Sequence, residues 1–335
     1  MNGIINVKKE KGFTSHDVVA KLRGILHFKK IGHTGTLDPD ATGVLPVCIG
    51  KATKVVDLLT EKDKTYIAGV KLGVKTDTLD MTGTVLETRP VTCTGEELEQ
   101  CLKSFEGDIE QVPPMYSAIK IQGKRLYEMA RQGKTVERKP RKVTIYSLKL
   151  LQADLEKNWF EIEVHCSKGT YIRSLCDDIG EKLGCLAAMD SLVRTQVGRF
   201  SLDEAYTLDE IEQKVKEDRL DEVLLSIDSL FMEYPAVQVL ETGMKYLQNG
   251  NEIPVNSCQD GDKIAVGVSG GKDSLVLLCA LAELRRFLPR QFSLCAVTAD
   301  MGFEKSDRIQ VQKNMHEEIA ELCYRLHIPY IVKET

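Results

Sequence analysis

The feature of the sequence that most constrains its fold is a change of pattern near residue 260. Before this point, predicted strands such as Ile4 to Val7 and Trp159 to Cys166 mix with amphipathic helices without strict alternation. After it, continuous apolar strands alternate regularly with helices. Mixed elements are typical of an α+β fold, whereas β-α-β alternation indicates a parallel sheet. We therefore predict an α+β domain with a mixed, largely antiparallel central sheet, followed by a partial, Rossmann-like α/β segment.

Local signals place the individual elements. Ser15 is suited to cap a helix that runs to Leu26, and Thr94 to cap a helix from Gly95 to Phe105, because hydroxyl oxygens accept bonds from free backbone N–H groups. Alternating or continuous apolar residues predict further strands at 44–49, 66–72, 84–87, 143–151, 263–268, 292–298 and 330–332. Further helices are predicted at 171–183, 275–286 and 311–326.

Composition excludes several classes of protein. The 335 residues, 42% hydrophobic and 28% charged, fit an ordinary globular chain and argue against disorder or coiled coil. No apolar run approaches the length of a membrane span, and the Lys-rich N-terminus lacks a signal-peptide core, so we expect a cytoplasmic protein without membrane contact. The ten cysteines form no C-x-x-C pair, which favours reduced thiols and no metal site.

The distribution of charge is more informative than its sum. The net charge of −5 argues against nucleic acid as a partner. However, residues 119–142 hold nine Lys or Arg against two Glu, a net charge of +7, whereas residues 201–233 carry −8. Tyr127 and Gly133 interrupt the basic run, so a mobile loop that grips an RNA backbone is more consistent with it than a plain solvated helix face.

The segment from Gly32 to Gly43 is the first with a chemical signature. Three glycines, three threonines, His33 and Asp38 lie between predicted elements, which is typical of a constrained functional loop. From the local pattern alone, Asp38 before Pro39 is more often a turn residue that bonds its own backbone. The loop composition therefore leaves a catalytic and a structural interpretation open.

Four motifs in register carry a family resemblance. They are Gly32 to Pro46 (GHTGTLDPDATGVLP), Lys64-Thr65-Tyr66, Pro113 to Lys120 (PPMYSAIK) and Cys166 to Arg173 (CSKGTYIR). Together they resemble the TruB-type tRNA pseudouridine synthases, in the family's order. One departure is that Lys9-Glu10-Lys11-Gly12 lacks the proline common in the family's first motif, although Lys9 and Gly12 remain.

The resemblance implies an activity and a substrate. It implies that uridine 55 in the T-loop of tRNA is isomerised to pseudouridine, without a cofactor or metal. The base must be flipped out of its stack, which costs a few kcal/mol. The implied partner is the T-arm of tRNA, with no obligate protein partner.

The resemblance also assigns site residues. Asp38 corresponds to the catalytic carboxylate, Arg173 to its arginine partner and Tyr66 to the tyrosine that stacks on the base. A carboxylate suits either attack at C1′ or proton removal from C2′ of the sugar, and both stay open. For Tyr171 and Leu192, core packing is the alternative to a role in the site. The implied substrate-binding residues are His33, Tyr171, Leu192, Lys9, Gly12, Lys64, Lys120, Lys124 and Arg125.

A second chemical motif, Ser269 to Ser274 (SGGKDS), follows the predicted strand at 263–268. Glycines in a strand–helix turn let backbone N–H groups hold a phosphate. The motif resembles the PP-loop of ATP pyrophosphatases, and residues 261–268 resemble the enzymes that form 2-thiocytidine in tRNA. The resemblance implies a vestigial ATP site at Ser269, Gly270, Gly271, Lys272, Asp273 and Ser274.

These resemblances predict three parts of the chain. Residues 1–233 are predicted to be the catalytic domain, with an RNA-gripping insertion at about 113–142. Residues 234–260 are predicted to be the truncated start of a small C-terminal RNA-binding domain, and 261–335 a partial PP-loop domain. We interpret the region near residue 260 as a junction between two truncated reading frames, natural or artefactual.

Two other functions compete with a pseudouridine synthase. One is ATP-dependent tRNA thiolation through the C-terminal motif. The other is a non-catalytic tRNA-binding or chaperone protein, against which the presence of Asp38, Tyr66 and Arg173 argues.

Overall fold

A computed structural model describes residues 1–117, 119–121, 123–231, 241, 244–245, 263–267, 279, 281–282, 293–300 and 309–334. The chain divides into two compact units, Met1–Ile227 and Asp228–Thr335. Each unit is considered by itself below.

A mixed nine-stranded sheet forms the centre of the described part of the first unit. Its main path runs β1-β3-β12-β4-β11-β10-β7, with β2 beside β3 and β13 beside β12. All pairings are antiparallel except that of β3 with β12. The strands of this unit are β1 Gly3–Lys9, β2 Ile31–His33, β3 Thr42–Ile49, β4 Lys64–Leu72, β5 Val74–Thr76, β6 Val85–Thr88, β7 Gly107–Gln111, β8 Lys120–Ile121, β9 Lys124–Arg125, β10 Arg141–Asp154, β11 Trp159–Cys166, β12 Ala187–Val197 and β13 Phe200–Ser201.

Helices pack against this sheet in two clusters. Leu98 of α3 and Ile179 of α5 are fully buried against Phe160 of β11 in the larger cluster. Leu22 of α1 and Ile211 of α6 are fully buried in the other cluster, against β1 and β3. The helices are α1 Ser15–Ile25, α2 Val56–Thr60, α3 Gly95–Lys103, α4 Leu126–Ala130, α5 Ile172–Lys182 and α6 Leu208–Lys216, with 3₁₀ turns at Gly50–Val55, Leu155–Lys157, Leu220–Glu222 and Ile227–Phe231.

The predicted α+β class and largely antiparallel sheet are confirmed. The strand predicted at Trp159 to Cys166 has the predicted bounds, and β1, β3, β4, β6 and β10 lie where strands were predicted. The prediction that Ser15 caps α1 is wrong, because Thr14 is the N-cap and forms a reciprocal capping box with Asp17. Ser15 is instead buried, and its hydroxyl accepts a hydrogen bond of 2.9 Å from the N–H of Leu37. The hydroxyl therefore ties α1 to the loop before β3.

Gly43 allows the parallel pairing of β3 with β12. Its φ is +104°, and a Cβ at this position would lie 2.2 Å from the carbonyl oxygen of Arg194. We expect Gly43→Ala to lower the free energy of unfolding by more than about 3 kcal/mol, because a backbone clash adds to an unfavourable φ. Urea unfolding, followed by the fluorescence of Trp159, the single tryptophan of the chain, measures this loss in the first unit.

Gly24 provides the matched control. It lies inside α1, and a Cβ there would meet no heavy atom within 4 Å other than those of its own helix backbone and chain neighbours. We expect Gly24→Ala to stabilise the first unit by up to about 1 kcal/mol through helix propensity. Equal unfolding midpoints for the two variants would contradict the close approach of β3 and β12.

The second unit contains a parallel three-stranded sheet among its described residues. The strands β14 Lys263–Gly267, β15 Ser293–Asp300 and β16 Tyr330–Glu334 pair in that order, and a helix spans Ile309–Arg325. The predicted parallel sheet is thus confirmed. Residues 269–274, which carry the predicted phosphate loop, lie outside the described residues.

None of the helices described by the structure is long and apolar enough to span a membrane.

Candidate active site

Asp38 lies in the loop between β2 and β3, and β1 anchors this loop. The side-chain nitrogen of Lys9 is buried and donates to the carbonyl oxygens of Glu10, Pro39 and Ala41. The N–H of Gly12 also donates to the oxygen of Pro39, at 2.9 Å. Two of the predicted substrate-binding residues therefore contact the backbone that directly follows Asp38.

Arg173 holds the carboxylate of Asp38 in an ion pair. Its Nη2 lies 3.0 Å from Oδ2 of Asp38, whose side chain is 44% exposed, whereas the side chain of Arg173 is 8% exposed. The same guanidinium lies 3.5 Å from a carboxylate oxygen of Asp80. It also donates to the carbonyl oxygens of Thr78 and Tyr116 at 3.1 and 2.8 Å. A reachable carboxylate is thus paired with a fixed, buried cation.

Asp80 is a site residue that the sequence did not reveal. Its side chain is 14% exposed, and it accepts hydrogen bonds from Thr78 Oγ1 at 2.8 Å and from the N–H of Thr82 at 3.0 Å. The turn between β5 and β6 therefore fixes the second carboxylate that orients Arg173. The threonines on either side of Asp80 were the available signal, although the same pattern is common in ordinary Asx turns.

Tyr66 and Leu192 form a largely apolar wall in the same cluster as Leu37. Tyr66 on β4 and Leu192 on β12 are each 9% exposed. Burial raises the pKa of the Tyr66 phenol, and Asp38 is close enough to add to this rise. The predicted catalytic residues Asp38, Tyr66 and Arg173 are therefore brought together.

Tyr171 lies at the start of α5, directly before Ile172 and Arg173. Its N–H donates to Oε1 of Gln111 at 2.7 Å, and its carbonyl oxygen accepts from Nε2 of the same residue at 3.0 Å. Burial raises the pKa of its phenol, which lies within electrostatic range of Asp38 and Arg173. The structure thus places this predicted residue beside the ion pair.

The other predicted residues lie around this centre at different depths. His33 is half-buried and packs edge-on against His16, with ring centroids 5.1 Å apart; burial lowers its pKa. The amine of Lys64 is buried and bonds the carbonyl oxygens of Thr60 and Lys62, and burial lowers its pKa to about 8. Lys120, Lys124 and Arg125 belong to the separate β8–β9 hairpin, where Lys124 is exposed.

This arrangement suits polar chemistry on a planar substrate. The reachable carboxylate of Asp38 can act as a nucleophile or a base, and the adjacent guanidinium holds it in one direction. The phenol of Tyr66 and the side chain of Leu192 offer flat and apolar surface beside it. Among the described residues, no group of three His, Cys, Asp or Glu is placed to hold a metal ion.

Comparison with family models covers most of the chain. Residues 23–172 match the N-terminal domain of the TruB family of pseudouridylate synthases, and residues 173–232 match the tRNA pseudouridylate synthase B C-terminal domain. Residues 241–335 match the PP-loop domain, which agrees with the resemblance in the second unit.

Individual relatives and solved structures give the same family. The chain is 57% identical over 259 residues to a tRNA pseudouridine synthase B of Lachnoclostridium phytofermentans, covering 76% of this chain and 84% of that protein. It is 44% identical to the protein of that name from Bacillus pumilus, covering 81% and 91%. A crystallised Cbf5–Nop10–Gar1 complex contains a similar fold, with 30% identity, a TM-score of 0.59 and coverage of 78% and 73%. The chain therefore belongs to the TruB family of pseudouridylate synthases.

Proposed function

We propose that this protein converts uridine 55 in the T-loop of tRNA to pseudouridine. The names of its relatives and the basic segment at residues 119–142 support tRNA as the substrate. The observation that carries the proposal is the pairing of Asp38 with Arg173 at 3.0 Å beside Tyr66. A protein that only bound RNA would not need a buried arginine to hold a reachable carboxylate.

The reaction is an isomerisation with balanced atoms. The bond between C1′ and N1 breaks, the base turns, and a bond forms between C1′ and C5. The proton on C5 leaves, and N1 takes up a proton. Asp38 would start this sequence either by attack at C1′ or by removal of a proton from C2′. No electron acceptor or activated group is consumed, so we propose that the reaction needs no cofactor.

The surrounding residues have separate roles in this proposal. Arg173 holds the carboxylate of Asp38 in position, and Tyr66 stacks on the flipped uracil while Leu192 supports its edge. Tyr171 and His33 fill the space around the flipped nucleotide. Lys120, Lys124 and Arg125 would contact backbone phosphates of the T-arm, which makes affinity fall with added salt.

Tritium release tests the proposed reaction. tRNA transcribed with uridine tritiated at C5 should release one tritium per tRNA, because only the modified uridine loses its C5 hydrogen. Transcripts with cytidine at position 55 should release none. Release from the cytidine transcript would overturn the choice of position, and no release from either would favour a binding protein.

A second candidate function is ATP-dependent chemistry in the second unit. The match to the PP-loop domain and the parallel sheet β14-β15-β16 favour it. We propose that tritium release is independent of ATP and unaffected by Lys272→Ala. ATP-dependent incorporation of sulfur into tRNA without release of tritium would favour thiolation over the synthase reaction.

The amine of Lys9 predicts how the reaction depends on pH. Burial lowers the pKa of Lys9 to about 8. The protonated amine has three donors for the three carbonyl oxygens it faces, whereas the neutral amine has two and turns a lone pair to the third. We expect the single-turnover rate to be highest below pH 8 and to fall as Lys9 loses its proton above it. The measurement is tritium release between pH 6 and 9.

Two variants separate this effect from other titrations. Lys9→Met should be slow at all pH values and should lose the fall near pH 8. Burial also lowers the pKa of Lys64 to about 8, but its amine bonds carbonyl oxygens of the turn that precedes β4. The rate of Lys64→Met should therefore still fall near pH 8. The opposite result would assign the titration to Lys64.

A further inference from the structure

Arg194 is a buried cation to which the proposed reaction gives no role. It lies on β12, its residue is 1% exposed, and its Nε donates to the carbonyl oxygen of Val44 at 2.8 Å. Within the described residues, no carboxylate forms an ion pair with Arg194, and its Nη2 is buried without a hydrogen-bond partner. Burial of an incompletely paired charge destabilises the folded state, so an apolar side chain at this position would give a more stable protein.

The phenol of Tyr66 is the side chain that this guanidinium meets. Antiparallel pairing of β4 with β12 places Arg194 opposite Tyr66, so the buried guanidinium faces the phenol from the neighbouring strand. Its positive charge favours negative charge on the phenol oxygen. A guanidinium only donates hydrogen bonds, so the phenol oxygen is the atom that it can hold. The guanidinium thus restricts where the phenol ring and its oxygen can lie.

Arg194 also connects Tyr66 to the loop that carries Asp38. Val44, which accepts its Nε–H, directly follows Gly43, and a Cβ on Gly35 would lie 3.7 Å from its Nη1. The guanidinium therefore lies between β4 and both ends of the loop at residues 34–43. Movement of Arg194 would displace the phenol relative to Asp38.

Titratable groups with opposing effects surround the pair of Arg194 and Tyr66. Lys9 of β1, His33 of β2 and Lys64 of β4 lie within electrostatic range of Arg194. Asp38 of the loop and Cys166 of β11 are the other titratable groups that face Tyr66. Arg194 is the group around Tyr66 that favours its ionised form, whereas Asp38 and Cys166 oppose it.

We propose that Arg194 is a positioning residue that holds the ring and hydroxyl of Tyr66 in place against the flipped base. The proposal rests on the role given to Tyr66 in the proposed function. The two arginines then have different roles: Arg173 positions the carboxylate of Asp38, and Arg194 positions the phenol of Tyr66.

A double-mutant cycle in tritium release tests the coupling. At saturating tRNA, we expect Arg194→Met to slow single turnover by about 30- to 100-fold in the wild-type background and by less than about 3-fold in the Tyr66→Phe background. Arg194→Lys should recover part of the rate. Arg199→Met, at an exposed position just beyond β12, is the control for loss of a nearby arginine. Equal losses in both backgrounds would overturn the proposal.

A titration that does not depend on activity is the second readout. The ultraviolet absorbance of phenolate, as the difference between each protein and its Tyr66→Phe counterpart, isolates Tyr66. Removal of Arg194 should raise the pKa of Tyr66, and an unchanged or lower value would overturn the proposal. If Arg194→Met does not fold, as judged by Trp159 fluorescence, Arg194→Lys and Arg194→Gln provide the same comparison. A wild-type protein that releases no tritium would refute the proposed function, while the titration would still report on this contact.

Discussion

Asp38→Asn is expected to abolish tritium release, with a fall in single-turnover rate of more than about 10³-fold. The amide has the same shape as the carboxylate, but it can neither attack C1′ nor take a proton from C2′. The exposed position of Asp38 means that the fold should be unaffected. Binding of tRNA should change by less than about 3-fold, because basic residues outside this loop supply most phosphate contacts.

Asp40→Asn is the matched control in the same loop. Asp40 is 55% exposed and pairs with Lys11 at 3.9 Å, so its loss removes one surface charge near the site. Surface pairs of this kind contribute at most about 1 kcal/mol. We expect near-normal release from this variant. A residual rate in Asp38→Asn within 10-fold of the Asp40→Asn rate would refute the catalytic role of Asp38.

Arg173→Lys is expected to slow single turnover by about 10²-fold while tRNA affinity stays within about 3-fold. Lysine keeps the positive charge, but its single nitrogen cannot bridge Asp38 and Asp80 while bonding two carbonyl oxygens. The carboxylate of Asp38 would then lose its fixed direction. Rapid-quench tritium release at saturating tRNA measures this rate.

The control is Arg89→Lys, at an arginine that is 40% exposed and pairs with Glu87 beside the β5–β6 hairpin. This variant should retain the wild-type rate. Asp80→Asn should slow the reaction as well, and its combination with Arg173→Lys should lose less than the product of the single losses, because both act through one guanidinium. Strictly multiplicative losses would show that Asp80 and Arg173 act independently.

The parts of the fold with strong local patterns were predictable from sequence. The alternation from Trp159 to Cys166 follows one strand whose faces point to different surroundings. Strand β12 was not predicted, because Asp190, Ser191 and Arg194 break its apolar pattern and the strand has two irregularities in its pairing with β4. Its identity depends on neighbours from distant parts of the chain.

The residues of the candidate site also divide into those that the sequence identifies and those that it does not. Asp38 and Arg173 could be identified because each lies inside a recognisable motif, and the structure brings them together. Asp80 and Arg194 could not, since an aspartate in a turn and an arginine in a strand are ordinary until their partners are known. For Asp80 that partner lies 93 positions away, and for Arg194 the acceptor of its Nε–H lies 150 positions away.

The parallel pairing of β3 with β12 also has a consequence for biosynthesis. Thr42 and Gly43 pair with Val193 and Arg194, which the ribosome adds about 150 residues later. Contacts of such long sequence separation form slowly, because a large loop of chain must first be closed. A nascent chain that ends before β12 holds Asp38 without the strand that closes its loop. We therefore expect the candidate active site to become complete only after most of the first unit has been synthesised.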